Sequence, residues 1–546
     1  MKIAVAQINC YLGDIEKNSQ IMIQHYKDGV ERGCNLIVFP ELSLSGYLVK
    51  DSVFSKQFMR SIDDALLLIA KETEESDGYI LLGTPLKREG NIYNAAVLIG
   101  KGEIIKEFYK RHLPNYGIFD EKRIFNAGEV SELFVLNDVN IGCLICEDLW
   151  HGDVILDLKN QGAELVISIN ASPFDLEKQE KRFNVIKNAA NKVNLPIIYV
   201  NRIGSDDYLV FDGGSCTFAK NSIIVEPRYW EENFTDVEYK DGNLVNLTKK
   251  QSNRVSQDEN IYNALMSGLG DFLAKNNFNK VILGLSGGID SSFVATLASD
   301  VVGPLNVTCI AMPSMFSSES SLTDAQDLIK KLGCKFNIIP INEIYLLGLS
   351  NLRMVLGNLP FDVTEENLQS RLRSMFLMAI SNKTNALLLS TSNKSESAVG
   401  YTTLYGDMCG AIAPISDIYK TKIYQLTNWR NFNIPNNSKN HQLHIINDNI
   451  INKPPSAELR ENQKDEDSLP PYNILDKVLY NLIELNLSPA DIAKNSHINL
   501  KLIKKIEYML INSEFKKEQS PIGIKISTRM LSTERRFPIT FKNPLA

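Results

Sequence analysis

No stretch of this 546-residue chain approaches the roughly 20 consecutive apolar residues that a bilayer span requires. The opening Met1–Gln7 runs straight into strand-like alternation, without the pattern of a secretory signal. Basic residues are in the minority, 58 Lys and Arg against 65 Asp and Glu, for a net charge of −7. That balance argues against a nucleic-acid or membrane-surface binder, and leaves room only for a local basic pocket that takes a small anion. The eight cysteines are scattered from Cys10 to Cys409, many inside apolar runs, which suits buried thiols in a reducing compartment better than a disulfide framework. The expected location is therefore cytoplasmic. Internal repeats are lacking too. What is present is an ordinary globular composition, 44% hydrophobic and 23% charged, on a chain too long for a single core.

To about residue 250, short apolar runs alternate with amphipathic stretches. Lys2–Asn9, Leu36–Phe39, Tyr79–Gly83, Ala95–Ile99, Ile104–Tyr109, Ile141–Ile145, Leu165–Ile169 and Ile197–Val200 read as strands. Asp14–Arg32, closed by Gly33, and Leu176–Val193 read as helices, and Gly100–Gly102 as a hairpin turn. The chain turns polar over Lys249–Glu259, which places a boundary between domains at 1–250 and 258–546. A helix over Ile261–Lys275 opens a second α/β series, with strands at Lys280–Leu285, Asn306–Met312, Lys335–Ile341 and Ala386–Ser390. Helices between them imply a parallel sheet with a site at the strand C-termini. The Asn-rich stretch Asn431–Asn452 reads as an exposed loop or a flexible cover.

In the first half, Glu41, Lys110 and Cys146 each stand directly after a strand-like run. Each residue type alone is more often a surface or core residue. Together at neighbouring strand ends they would form a compact site, with a carboxylate to take a thiol proton and an ammonium to stabilise an oxyanion. Cys143 and Cys146 also leave a redox pair or half a zinc site open. One such pair without a second, or without suitably spaced histidines, falls short of a metal framework, and residues three apart on a strand face opposite sides, so Cys143 is expected in the core. His441 and His444 have no evident partners.

The segments FPELSLSGY (Phe39–Tyr47), KRHLPNYGIFDE (Lys110–Glu121) and CEDLW (Cys146–Trp150) resemble the nitrilase superfamily, the middle one its glutaminase domains. The resemblance implies an αββα sandwich, with Glu41 as base, Lys110 as oxyanion stabiliser and Cys146 as nucleophile. It also implies glutamine contacts from Tyr116, Ser172 and Lys178, with Glu121 and Glu147 as secondary carboxylates.

In the second half, LGLSGGIDSS (Leu283–Ser292) lies between an apolar strand and an amphipathic helix. Glycines let backbone N–H groups wrap a polyphosphate at a helix N-terminus. Ser286, Ser291 and Ser292 add donors, and Asp290 can hold magnesium. There is no GK[ST], so this is not a Walker A loop. The string resembles the PP-loop ATP pyrophosphatases, which implies a Rossmann-like doubly wound parallel sheet and ATP contacts along Gly284, Leu285, Ser286, Gly287, Gly288, Ile289, Asp290, Ser291 and Ser292. The segments Met312–Ala325, Glu366–Met378, Ser390–Met408 and Lys453–Tyr472 are similar to NAD synthetases, the last to their substrate-covering loop. That resemblance gives Thr391 to ATP, Asn367, Glu396 and Lys525 to deamido-NAD, and Asp290 with Glu396 to Mg2+. Arg371, Asp407 and Lys420 fall in matching segments, and Ser392 stands where many members have Gly.

The expected function is a C–N ligase. Glutamine is hydrolysed in the first half; in the second, ATP adenylates deamido-NAD and ammonia displaces AMP to give NAD. The partners implied are glutamine, ATP and deamido-NAD, with no nucleic acid or membrane, and a homo-oligomer. Two other readings are a glutamine-fed PP-loop ligase acting on a purine nucleotide or an acidic amino acid, and an amide hydrolase with a nucleotide-sensing module. Lys453–Tyr472 and Glu366–Arg373 argue against the first, and the intact Ser286, Gly287, Gly288, Asp290 and Glu396 against the second.

Overall fold

The computed structural model describes residues 1–541 apart from 131, 249–252, 254 and 358. The chain divides into two compact units, Met1–Val255 and Ser256–Ala546. Part of the polar segment Lys249–Glu259, at 249–252 and 254, lies outside the described residues; the helix Gln257–Lys275 begins within that segment.

Unit 1 is built on two sheets. The seven-stranded sheet has the order Asn243–Asn246, Asn233–Lys240, Lys2–Gln7, Leu36–Val38, Tyr79–Arg88, Asn91–Gly100, Glu103–Tyr109. The six-stranded sheet runs Ser222–Val225, Cys216–Ala219, Ile197–Asn201, Leu165–Asn170, Val139–Ile145, Leu133–Leu136. Strand alternation assigns each face. Ile3 and Val5 point toward the other sheet and pack with Ile141, Ile145, Ile167 and Val200, while Ala4 and Ala6 face the helical side with Met22 and Tyr26. The second sheet turns Leu144, Val166 and Tyr199 outward onto Ile155, Leu158, Ile186 and Ala190. The result is the expected αββα sandwich. The helix Ile15–Glu31 starts where the Asp14 carboxylate accepts from Lys17 N at 3.1 Å, and Gly33 follows it at φ +78°. Lys101 and Gly102, both at positive φ, turn the antiparallel hairpin between Asn91–Gly100 and Glu103–Tyr109. Strands after residue 201 escaped the sequence reading because they are short and partly polar; Asn233–Lys240 buries only alternate residues.

Unit 2 contains a parallel sheet in the order Lys335–Ile338, Val307–Ala311, Val281–Gly284, Leu387–Leu388. The first strand in the chain lies between the second and the fourth, so the connections leave it in opposite directions. That reversal opens a crevice at the C-terminal ends of Val281–Gly284 and Leu387–Leu388. The helices Tyr472–Ile483, Pro489–Ser496 and Leu500–Asn512 form a further cluster around Leu479, Ile492 and Ile506. Among the described residues no helix is long and apolar enough to cross a membrane.

The stretch Asn431–Asn452 is exposed over most of its length, as expected, but is pinned to the interior at intervals. Asn431, Ser438, Asn440, Ile445, Ile446 and Ile450 are buried. Arg430 donates to both oxygens of Asp300 at 2.8 Å, and Ser438 Oγ and Tyr262 Oη donate to the same carboxylate at 2.7 and 2.5 Å. Asn431 pairs with Ile446 through N–H···O bonds of 2.8 and 3.0 Å. Side-chain amides here stand in for backbone partners at the buried points. Asp300→Ala strands the buried Arg430 guanidinium and should lower stability by about 3–5 kcal/mol, read as a shifted denaturant midpoint for the transition of unit 2.

Candidate active sites

Unit 1 gathers its reactive side chains from both sheets. Glu41 follows Leu36–Val38 and Lys110 follows Glu103–Tyr109 on the seven-stranded sheet; Cys146 follows Val139–Ile145 on the six-stranded one. Lys110 Nζ donates to Glu41 at 2.7 Å and to Glu121 at 2.9 Å, and all three residues are 1% exposed. Glu41 also accepts from Asn94 Nδ2 and from the backbone N–H of Ala171, both at 2.8 Å. Tyr47 Oη donates to Glu121 at 2.9 Å. Cys146 sits at φ +48°, the sharp turn between its strand and the helix Asp148–His151, with its N–H on Ile169 O at 2.9 Å.

Electrostatics in this site are set by two carboxylates around one ammonium. Burial opposes the charge on Lys110, but Glu121 and Glu41 win and hold it well above the usual lysine range. Burial, reinforced by Glu41 and opposed by Lys110, pushes the Cys146 thiol well up. Both effects favour the thiol over the thiolate. Burial also raises the Glu121 carboxyl, against the pull of Lys110.

The residues assigned to glutamine by resemblance surround this centre. Tyr116 is 54% exposed and its hydroxyl donates to both oxygens of Glu147 at 3.1 Å. Lys178 Nζ lies 4.4 Å from the centre of the Trp150 ring, and its pKa is lowered by burial against the pull of Asp175 and, further down, Glu147. Ser172 is fixed by its backbone, its N–H on Asn201 Oδ1 at 2.9 Å and its carbonyl accepting from Asn201 and Arg182. Cys143 packs in the core between the sheets. Asn94 and Tyr47 were missed as site residues. Tyr47 closes the quoted FPELSLSGY segment, whereas an asparagine inside a strand gives no signal.

In unit 2 a cavity of about 450 Å³ opens at the crevice between the diverging strands. Its walls include Gly284, Leu285, Ser286, Gly288, Ile289, Asp290 and Ser291, with Thr391, Ser392, Glu396, Asn367, Asp407 and Lys420 opposite. Gly287 holds φ +81°, and a Cβ there would lie 2.2 Å from Ser321 O, so only glycine lets the loop approach that backbone. Ser286 and Ser291 hydroxyls are 3.1 Å apart beneath the loop. Ser292 turns away from the cavity: fully buried, it donates to Gly288 O at 2.7 Å within its own helix.

Lys420 Nζ pairs with Asp290 and, at 3.0 Å, with Glu396. Asn393 Nδ2 reaches Asp290 at 3.3 Å and Tyr472 Oη reaches Glu396 at 3.2 Å. Burial pushes the Asp290 carboxyl up to about 6 even with Lys420 beside it. Two cavity-lining carboxylates sharing one cation form a hard oxygen donor pair of the kind that magnesium takes from proteins alongside phosphate oxygens, so the residues present fit that ion. Asn367 Oδ1 accepts from Thr403 at 2.7 Å, and the Asp407 carboxyl, raised by burial, accepts from Thr403 N at 2.8 Å and Ser370 Oγ at 3.1 Å. Ser392 points its hydroxyl back at Ser390 and the Asp407 carbonyl, at 3.1 and 3.4 Å, so it braces the wall. Arg371 is engaged with Leu404 O at 3.1 Å.

The segment after Lys453 covers the cavity. Residues 453–459, Gln463 and Asp465 line it, and Glu458 accepts from Ser318 Oγ and Ser321 Oγ at 2.8 and 2.7 Å. Lys525 is the assigned residue that the structure sets apart. It is buried, donates to Ser527 O at 2.8 Å and Glu534 at 2.6 Å, and does not line this cavity. Arg373 went unnoticed in the sequence; it lines the cavity, donates through Nε to Met312 O at 3.0 Å, and is pushed down to about 10 by burial.

Both units match known families, the carbon-nitrogen hydrolases over residues 2–241 and NAD synthase over 261–520. The glutamine-dependent NAD(+) synthetase of Aquifex aeolicus is 38% identical over 575 residues, covering 99% of each chain. That of Synechocystis is 40% identical over 560 residues, covering 98% of each. The solved glutamine-dependent NAD+ synthetase of Acinetobacter baumannii, in complex with ADP, is 33% identical with a TM-score of 0.78 over 98% of each chain. That of Cytophaga hutchinsonii, 22% identical, shares the fold with a TM-score of 0.81 over 99% of this chain and 97% of its own. The chain belongs to the family of glutamine-dependent NAD(+) synthetases.

Proposed function

We propose that this chain makes NAD from deamido-NAD, ATP and glutamine, with 1–250 acting as the glutaminase and 258–546 as the synthetase. The observation that carries the reading is that one chain holds both a buried Glu–Lys–Glu cluster beside a protonated thiol and a covered cavity at the end of a glycine-rich loop.

In the first reaction Glu41 takes the Cys146 thiol proton as sulfur attacks the carboxamide carbon of glutamine. Lys110 faces the oxyanion that forms. Collapse expels ammonia, which takes the proton back from Glu41, and leaves a glutamyl thioester. Water, deprotonated by Glu41, then releases glutamate and restores the thiol. Lys178 supplies a cation for the glutamine α-carboxylate, and Tyr116 and Ser172 flank it. In the second reaction the N–H groups of Gly284–Ser291 cradle the ATP phosphates and Thr391 contacts the nucleotide. The nicotinate carboxylate attacks the α-phosphorus and pyrophosphate leaves. Ammonia then attacks the acyl carbon, AMP departs, and the nitrogen loses its surplus proton. Asn367 and Glu396 contact deamido-NAD. Asp290 and Glu396 would hold Mg2+, which when bound neutralises charge on the phosphates.

The free thiols of Cys34, Cys143, Cys146, Cys216, Cys309, Cys334 and Cys409 suit a reducing cytoplasm. A homo-oligomer is part of the proposal, because the helices Asn342–Leu356 and Val363–Thr384 expose Leu347, Met354, Val355, Val363 and Met375, with Met354 and Val355 each 85% exposed.

Cys146→Ala should abolish NAD formation from glutamine while leaving synthesis from ammonium chloride, followed as NAD and AMP together. A wild-type protein that hydrolyses glutamine without forming NAD or AMP would refute the synthetase assignment. Gly287→Ala should lower ammonium-fed synthesis by about a hundredfold, since the loop must shift away from Ser321. Val355→Asp should reduce the assembly size seen by light scattering.

A further inference from the structure

The two halves of the proposed glutaminase machinery stand on different sheets: Lys110 leaves the seven-stranded sheet and Cys146 leaves the six-stranded one. Sheet packing alone sets such a separation only to within side-chain repacking, whereas proton transfer and oxyanion contact need a much tighter tolerance. Asp148, buried at 2% exposure, lies between the two strand exits. Its Oδ1 accepts from the backbone N–H of Arg111 at 3.1 Å and of His112 at 2.8 Å, the two residues directly after Lys110. Its Oδ2 accepts from the N–H of Ile145 at 3.3 Å, the residue directly before Cys146.

We infer that Asp148 is a positioning residue for glutamine hydrolysis, its carboxylate fastening the exit of the Lys110 strand to the turn that presents Cys146. This rests on the reading of Glu41, Lys110 and Cys146 given above. The contact to Ile145 closes a short loop around Cys146, whose left-handed φ of +48° is strained for a residue with a side chain. A second link of the same kind joins Glu41 to Ala171 N across the sheets, so each carboxylate binds backbone from the opposite side.

Among the described residues the carboxylate has three N–H donors and no ion pair within 4 Å. Arg111 and His112 offer it only their backbone, their side chains pairing with Asp157 at 2.5 Å and Asp153 at 2.8 Å. Of the titratable groups facing it, Lys110 favours its charge, and the Cys143 thiol lies on the strand beneath. Cys146 and Glu147 precede it directly in the chain. Burial pushes its carboxyl up to about 7, with the backbone donors and Lys110 restraining it. A protonated carboxyl presents a hydroxyl where a backbone N–H needs an acceptor, so the link loosens as pH falls through that value.

The test is Asp148→Asn in the full chain, which keeps shape but turns one acceptor into a donor. Glutamine hydrolysis should lose about ten- to a hundredfold in kcat, with KM for glutamine within about twofold. NAD synthesis from ammonium chloride should be unchanged. Wild-type kcat should fall as pH drops through 7, and the variant should lack that limb. A variant with the wild-type kcat and pH profile, or one whose KM rises while kcat holds, overturns the inference. Should the variant not fold, wild-type kcat that is flat from about pH 6 to 8 overturns it equally. Cys146→Ala that still hydrolyses glutamine would instead refute the underlying assignment, so the two failures are distinct.

Discussion

A lysine ammonium taken out of water must find its charge balance inside the protein, and Lys110 finds it between Glu41 and Glu121. Leaving both carboxylates out would strand a buried charge, at a cost of about 3–5 kcal/mol. With both present the cluster carries an excess negative charge, and the neighbouring Cys146 thiol is pushed up first by burial and then by Glu41, against the pull of Lys110. A site built this way keeps no idle thiolate. In the proposed reaction the nucleophile would form as a carbonyl carbon receives the sulfur and Glu41 the proton, which would tie reactivity to substrate.

Unit 2 uses the same grouping twice, with different exposure and a different consequence. Lys394 lies fully buried between Asp417 at 3.0 Å and Glu484 at 2.6 Å, and donates as well to Ser527 Oγ and Arg529 O. It reaches no cavity and anchors the segment on which Thr391 and Glu396 are carried. Lys420 lies between Asp290 and Glu396 but lines the cavity, where arriving phosphates and a metal ion can rearrange its partners. Three buried lysines with the same local chemistry thus divide into a catalytic-type centre, a structural anchor and a ligand-facing switch of partners. Access to the cavity separates the last two.

Strand ends were legible in the sequence because an apolar run has a definite period and a charged residue directly after it stands out. Glu41 and Lys110 have that signature and Cys146 has it with a thiol in place of the charge, whereas Asp290 stood out through the glycine-rich string Leu283–Ser292. Sheet membership was not legible, since no local pattern says that the strand before Lys110 and the strand before Cys146 belong to opposite layers. For the same reason the ties across the layers, Ala171 to Glu41 and Asp148 to Arg111 and His112, left no trace beyond ordinary loop residues. In Asn431–Asn452 composition suggested solvent, and most of the stretch is exposed, but it gave no sign that Asn431 would satisfy the buried backbone of Ile446. Lys525 and Ser292 carry the right types at matching positions, but one is engaged by Glu534 and the other by its own helix.

The cover of the unit 2 cavity shows what the proposed adenylate chemistry demands of the fold. An acyl adenylate reacts with water as readily in kind as with ammonia, so the cavity must be shut while that intermediate exists and open when substrates and products pass. Lys453 and Glu458 meet Ser318 and Ser321 through hydrogen bonds, and Lys453 makes longer ion contacts with Glu458 at 3.7 Å and Asp324 at 3.9 Å. Such partly exposed contacts are worth little individually. Tyr472 adds a firmer point at the far end, bonding Asp465 at 2.8 Å and Glu396 at 3.2 Å. Closure is therefore weak along the rim and linked to the carboxylates at its base. A ligand that recruits Glu396 acts on the same residue that holds the cover down, so occupancy of the site and its seal are chemically coupled.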